Sequence, residues 1–216
     1  SSSDITNIPF IKAIASKNKP ILLSTGASTL REIKTAVKAI EDVSNVDIGI
    51  MHCVLSYPTD NLDANLLMIK DLEENFLGYE IGYSDHTKPD DKMLILTTAY
   101  LYGANILEKH FTLDKTLKGN DHYHAMDVND VKIFKDNIKL LNKIRGKKHK
   151  QPLVCETSAR KEARRSIVAS KNIKKDEEIS LENIDFKRPG TGISPSDINE
   201  VIGKKAKVDI SEDDNY

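Results

Sequence analysis

Short apolar runs rich in β-branched residues alternate with amphipathic stretches through the first half of the chain. The runs lie at residues 20–23, 46–51, 79–83 and 105–107. Each ends in polar residues: Ser24-Thr25, His52 through Tyr57, Ser84-Asp85-His86-Thr87 and Glu108-Lys109-His110. Ser24, Cys53, Ser84 and Lys109 stand 29, 31 and 25 residues apart, a spacing that suits one strand plus one helix. Thr29-Leu30-Arg31-Glu32 has the form of a capping box, and Leu30, Ile33, Val37 and Ile40 form one helical stripe. Val131, Phe134, Ile138 and Leu141 repeat those offsets, and Gly78, Gly103 and Gly146 stand where a left-handed helix C-cap is expected.

The rhythm changes late in the chain. Residues 143–175 hold 12 Lys and Arg against two acids, Glu156 and Glu162. Such a run reads as a solvated linker, with polyanion binding as the alternative. Strands are expected at 166–169 and 184–187, with a turn at Lys174-Lys175-Asp176-Glu177 between them. Ser194 then serves as N-cap and Pro195 as the first residue of a helix that Gly203 closes. The chain accordingly divides into 1–146, a linker at 147–162, and a small, mostly-β domain at 163–216.

Four successive βα units with functional side chains at the strand ends imply a parallel sheet whose carboxyl edge is the reactive face. An open sheet and half of an eight-stranded barrel are the two candidates. Neither GxGxxG nor a P-loop is present, which weighs against the nucleotide-binding open sheets. A complete barrel takes about 250 residues, more than remain once the small domain is set aside.

Composition narrows the classes further. The 216 residues carry 32 Lys and Arg against 33 Asp and Glu, so a general nucleic-acid binder is not expected. No stretch approaches the roughly 18 to 20 apolar residues of a membrane span. Cys53 and Cys155 lie far apart and form no CxxC, which supports neither a disulfide scaffold nor a Cys-type zinc site and fits a reducing cytoplasm. The chain opens Ser1-Ser2-Ser3-Asp4 without the regions of a signal peptide and stops at Asp214-Asn215-Tyr216 without a closing element, so it reads as a piece of something longer.

The strand ends carry the candidate chemistry. His86 and His110, with Asp85 and Glu108 beside them, can hold a divalent metal and leave positions open for water or substrate. Ser24-Thr25-Gly26-Ala27-Ser28 sits where a strand turns into a helix, and either holds an anion or simply caps the helix. Lys109 either pairs with a phosphate or carboxylate or snorkels at the surface. Tyr57-Pro58-Thr59 either stacks on a sugar or makes a stiff turn. His122 and His124 flank Tyr123 in the loop after Gly119-Asn120-Asp121, a candidate substrate or accessory metal contact. The lack of a Gly-x-Ser-x-Gly elbow or a Cys-protease context argues against nucleophilic acyl chemistry.

Five strings then become specific. Pro20-Ile21-Leu22-Leu23-Ser24-Thr25-Gly26, His52-Cys53 with Tyr57-Pro58-Thr59, Gly82-Tyr83-Ser84-Asp85-His86-Thr87, Glu108-Lys109-His110-Phe111-Thr112 and Lys187-Arg188-Pro189-Gly190-Thr191-Gly192 resemble the sialic acid synthase (N-acetylneuraminate synthase) family. The resemblance implies an α/β fold: the C-terminal half of a (β/α)8 TIM barrel, strands five to eight, followed by a SAF (antifreeze-like) domain. Residues 1–7 fall at the end of the family's fourth strand, so the strands that supply its catalytic glutamate and phosphoenolpyruvate-binding lysine lie outside the sequence. The expectation is an incomplete portion, inactive and poorly stable alone, with unpaired sheet edges.

The resemblance also implies roles. His86 and His110 match ligands of a divalent metal, manganese first and magnesium or cobalt as alternatives. Ser2, Ser24 and Ser84 match residues that hold phosphoenolpyruvate, and Glu108 and Lys109 are the expected catalytic pair. Tyr57, Glu108 and Asp121 fall near the amino sugar. Arg188 resembles an arginine that reaches into the partner's site in a domain-swapped homodimer. The implied partners are phosphoenolpyruvate and an N-acetylmannosamine-type sugar, with neither nucleic acid nor membrane. The alternatives are a metal-dependent aldolase or lyase and a non-catalytic carbohydrate- or polyanion-binding remnant. Two departures stand out: Leu55 where many relatives are polar, and a bulkier loop at residues 120–126 than the usual Asp-His-small-Ser pattern.

Overall fold

The computed structural model describes residues 1–119 and 121–214, so Asn120 of the loop and the terminal Asn215 and Tyr216 lie outside the described residues. The chain divides into two compact units, Ser1–Gly146 and Lys147–Tyr216.

In the first unit, strands β1 (Ile21–Ser24), β2 (Ile48–Cys53), β3 (Glu80–Asp85) and β4 (Ile106–Lys109) pair in sequence order, all parallel, as one half-barrel sheet. Each strand runs one or two residues beyond the apolar run that announced it, because the polar end residues keep their places in the hydrogen-bonded ladder. Ser24 pairs with Met51, Cys53 with Ser84, and Asp85 with Lys109. Strand β2 is buried along its whole length, as expected of a strand with neighbours on both sides and helices behind it.

Helices α1 (Ile8–Ala15), α2 (Leu30–Glu41), α3 (Met68–Asn75), α4 (Leu94–Leu101) and α5 (Val128–Ile144) accompany the sheet. The capping box of α2 forms as expected: the Thr29 side chain accepts from the Glu32 N–H, and Glu32 accepts from the Thr29 N–H at 2.7 Å. Its stripe is the buried one, with Ile33, Val37 and Ile40 in a core shared with Ile50, Ile69, Leu72, Ile81, Tyr83 and Leu96. Gly78, Gly103 and Gly146 all take positive φ, which a residue with a Cβ adopts at a cost.

The second unit contains an antiparallel pair, β5 (Ser166–Ala169) and β6 (Ile184–Lys187), at the residues expected. Ile167, Ile179, Ile184 and Val201 form its core. The buried Ser166 hydroxyl donates to Pro189 O at 2.6 Å and accepts from Gly192 N–H at 2.9 Å, which fixes the loop behind Arg188. Two details depart from the pattern-based reading. The segment after Ser194 is a kinked 3-10 helix at Pro195–Glu200. Residues 147–162, expected to be plain linker, are largely exposed but carry most of helix α6 (Thr157–Ala163), whose Lys161 O accepts from Gly190 N–H at 2.8 Å.

Candidate functional site

A strand turns successive side chains to opposite faces, and that alternation sorts the polar strand ends into two groups. Ser24, Cys53, Ser84, His86, Glu108 and His110 share one face by period and register. His52, Asp85 and Lys109 turn to the other face, toward the helices.

Lys109 therefore turns away from the face that carries Glu108 and His110. Its side chain is 1% exposed, and its Nζ donates to Asp85 Oδ2 at 2.8 Å and to Thr87 O at 2.5 Å. Asp85 is as buried, and its Oδ1 accepts from Thr87 N–H at 2.9 Å, Thr87 Oγ1 at 2.7 Å and Tyr83 OH at 3.2 Å. The result is a closed buried ion pair that pins the end of β3 to the end of β4. Burial, with Asp85 as a second cause, pushes the Tyr83 phenol well above its ordinary range, so it remains a donor.

On the open face, Ser84 is buried and donates to Glu108 Oε1 at 2.7 Å. Its hydroxyl orients a carboxylate whose other oxygen has no hydrogen-bond partner among the described residues. The Ser24 loop departs from a simple anion cradle. Thr29 and Glu32 occupy the helix-start N–H groups, and Gly26 N–H donates to Ser2 Oγ at 2.9 Å. Ser2 also lies 3.0 Å from Cys53 Sγ. A Cβ on Gly26 would stand 2.8 Å from that sulfur and 2.9 Å from Ser2 Oγ, so only glycine fits between them. The structure thus brings Ser2 against the ends of β1 and β2, with Ser24 half-buried alongside.

The histidines form the centre of the site. His86 Nδ1 lies 2.9 Å from Val54 O; a carbonyl only accepts, so Nδ1 carries the proton and Nε2 keeps its lone pair. Burial is the main cause that pushes the His86 pKa down, with His110 adding to it. The His86 and His110 rings lie 5.3 Å apart, and the half-exposed Tyr57 ring sits 4.2 Å from the first and 5.9 Å from the second. Thr59 N–H donates to His86 O at 2.9 Å, which ties the Tyr57 turn to the end of β3. Desolvation, then Cys53, Asp121 and Glu108, raise the Tyr57 pKa.

The loop after β4 adds two further groups. Met126 N–H donates to His110 O at 2.8 Å and Thr112 N–H to Met126 O at 2.9 Å, so the loop returns alongside the strand it left. Lys115 pairs with Asp130 at 2.5 Å and Asp127 at 3.3 Å, the two capping residues of α5, and fixes the other side. Thus held, Asp121 stands 3.8 Å from His110 Nδ1 and 3.9 Å from His124 Nε2. The donor atoms of His110, Asp121 and His124 all lie within 4.8 Å of one another. His122 turns away and bonds Thr112 Oγ1 at 2.7 Å. Imidazole nitrogens beside an exposed carboxylate fit a divalent cation.

Residues 1–150 match the NeuB family, and residues 164–214 match the SAF domain. The chain belongs to the NeuB family. An uncharacterized protein of Methanocaldococcus jannaschii is 43% identical over 99% of this chain and 62% of its own length. The N,N'-diacetyllegionaminic acid synthase of Legionella pneumophila is 35% identical over 97% of this chain and 59% of its own. Among solved structures, an N-acetylneuraminic acid (sialic acid) synthetase from Leptospira borgpetersenii superimposes with a TM-score of 0.64 at 34% identity, covering 73% of this chain and 54% of that one. The chain therefore spans about three fifths of the length of the curated NeuB relatives it matches.

Arg188 lies in the SAF unit, exposed, immediately after β6. Among the described residues no helix is long and apolar enough to cross a membrane.

Proposed function

We propose that this NeuB-family protein is a nonulosonic acid synthase, condensing phosphoenolpyruvate with an N-acetylmannosamine-type amino sugar and releasing phosphate. The observation that carries this reading is the strand-end set His86, His110, Ser84 and Glu108 on one face of a parallel sheet, in a family whose named relatives are synthases of such acids. In the reaction, C3 of phosphoenolpyruvate bonds to the sugar aldehyde carbon, water adds at C2, and the C–O bond to phosphate breaks.

His86 and His110 would hold a divalent metal, manganese, magnesium or cobalt, which would supply Lewis-acid polarisation of the aldehyde oxygen. The chain's own residues supply the positioning. Ser2 and Ser24 line the ends of β1 and β2, where the phosphoenolpyruvate carboxylate and phosphate need hydroxyl donors. Ser84 holds Glu108 so that its free oxygen accepts a proton from the attacking water or a sugar hydroxyl. Tyr57 and Asp121 border the sugar, and Arg188 of a partner subunit closes the site. Lys109 acts through Asp85 as a positioning residue. Holding two reactants in line accounts for much of the rate in such a condensation.

Assaying phosphate release with each substrate omitted in turn tests the reading. Turnover requires both substrates and is lost in His86→Ala. Turnover without phosphoenolpyruvate points instead to an aldolase or lyase on the same histidines.

A further inference from the structure

His124 has an environment that a structural histidine would not keep. Its side chain is 0% exposed, and neither Nδ1 nor Nε2 has a hydrogen-bond partner among the described residues. An imidazole carries one donor and one acceptor when neutral, and leaving either buried and unpaired is destabilising. The nearest polar groups do not resolve this: Asp121 is 3.9 Å away, beyond hydrogen-bond range, and the His110 ring is 5.0 Å away. The loop that carries His124 is anchored on both sides, by the Met126–His110 ladder bond and by the Lys115 ion pairs. The unpartnered nitrogens are thus held in place, facing a carboxylate and a second imidazole.

We propose that His110, Asp121 and His124 together form a seat for a divalent transition-metal ion, with His124 as a direct ligand. The inference rests on the proposed metal site only in taking His110 as common to both sets. Two donors bound to one ion at about 2.1 Å lie roughly 3.0 Å apart at right angles and about 4.2 Å apart when opposed. The two separations to Asp121, 3.8 and 3.9 Å, fall in that interval. Two imidazoles and one carboxylate suit cobalt, zinc or iron, whereas magnesium prefers an all-oxygen shell with retained waters. The seat therefore selects an imidazole-binding metal over magnesium.

Titration calorimetry of the metal-free protein with Co2+ and with Mg2+, together with the visible absorption of bound Co2+, tests this. The expected result is one Co2+ site that binds at least about tenfold more tightly than Mg2+. His124→Ala should lower Co2+ affinity by at least about tenfold and change the absorption bands. Asp121→Asn, at an exposed position, should also weaken binding, and it carries the test where the buried substitution prevents folding. Wild-type Co2+ affinity and an unchanged spectrum in either folded variant would overturn the proposal, as would failure of the native protein to bind Co2+. Tight Co2+ binding without phosphoenolpyruvate-dependent turnover would support the seat and count against the synthase reading alone.

Discussion

Substitution of Lys109 by methionine isolates the contribution of the buried ion pair. Methionine keeps an unbranched apolar stem of similar reach, so the packing beside β3 and β4 is largely retained while the ammonium is lost. Asp85 keeps its three Oδ1 contacts, but Oδ2 loses its partner in a place where the side chain is 2% exposed. Breaking one side of a buried pair costs about 3–5 kcal/mol, because a charge is left uncompensated. At roughly 2–4 °C per kcal/mol for a chain of this size, the melting temperature should fall by about 10 °C. Urea unfolding followed by tyrosine fluorescence reads the change in the right unit, since the protein has no Trp and six of its seven Tyr lie in residues 1–146. Adding Asp85→Asn to Lys109→Met removes both charges and should restore part of the loss, giving a coupling energy of about 2 kcal/mol. A single variant within about 1 kcal/mol of wild type, or strictly additive effects, would refute the reasoning.

Two further outcomes are expected. Gly82→Ala should destabilise the sheet by about 1–3 kcal/mol, toward the upper end, because a Cβ there would collide with Met51 Sδ and stand 2.7 Å from Ile106 O; equilibrium unfolding checks it. Burial pushes the pKa of His52 below its ordinary 6.5, so the folded state takes up its proton less readily than the unfolded chain. That contribution is present above pH 6.5 and is lost as pH falls through the lower folded value. The urea midpoint should therefore drop between about pH 7.5 and 5.5, and less steeply in His52→Gln, which keeps a donor for Ala64 O.

How far the sequence could be read depended on how local the determining contacts were. The α2 capping box and stripe, the three left-handed glycines and both strands of the small unit follow from short-range rules, and the structure holds them where the pattern placed them. The direction of Lys109 was legible. Between Glu108 and His110 it must face away from both, and the two-residue period of the strand places it with Asp85. His124 was legible only as one of two candidate contacts in its loop, since which of His122 and His124 faces His110 depends on the Met126 bond and the Lys115 pair that fold the loop back onto β4, and neither contact leaves a local signature. Helix α6 has no buried residue and so no apolar stripe to announce it; its tie to Gly190 is a backbone bond that no pattern encodes.

The central claim concerns the reaction, and product analysis tests it most directly. The protein, supplied with phosphoenolpyruvate, an N-acetylmannosamine-type sugar and a divalent metal, should yield a nonulosonic acid and phosphate in equal amounts, resolved by mass spectrometry and phosphate assay. Phosphate without a condensed acid, or consumption of the sugar without phosphoenolpyruvate, would contradict it.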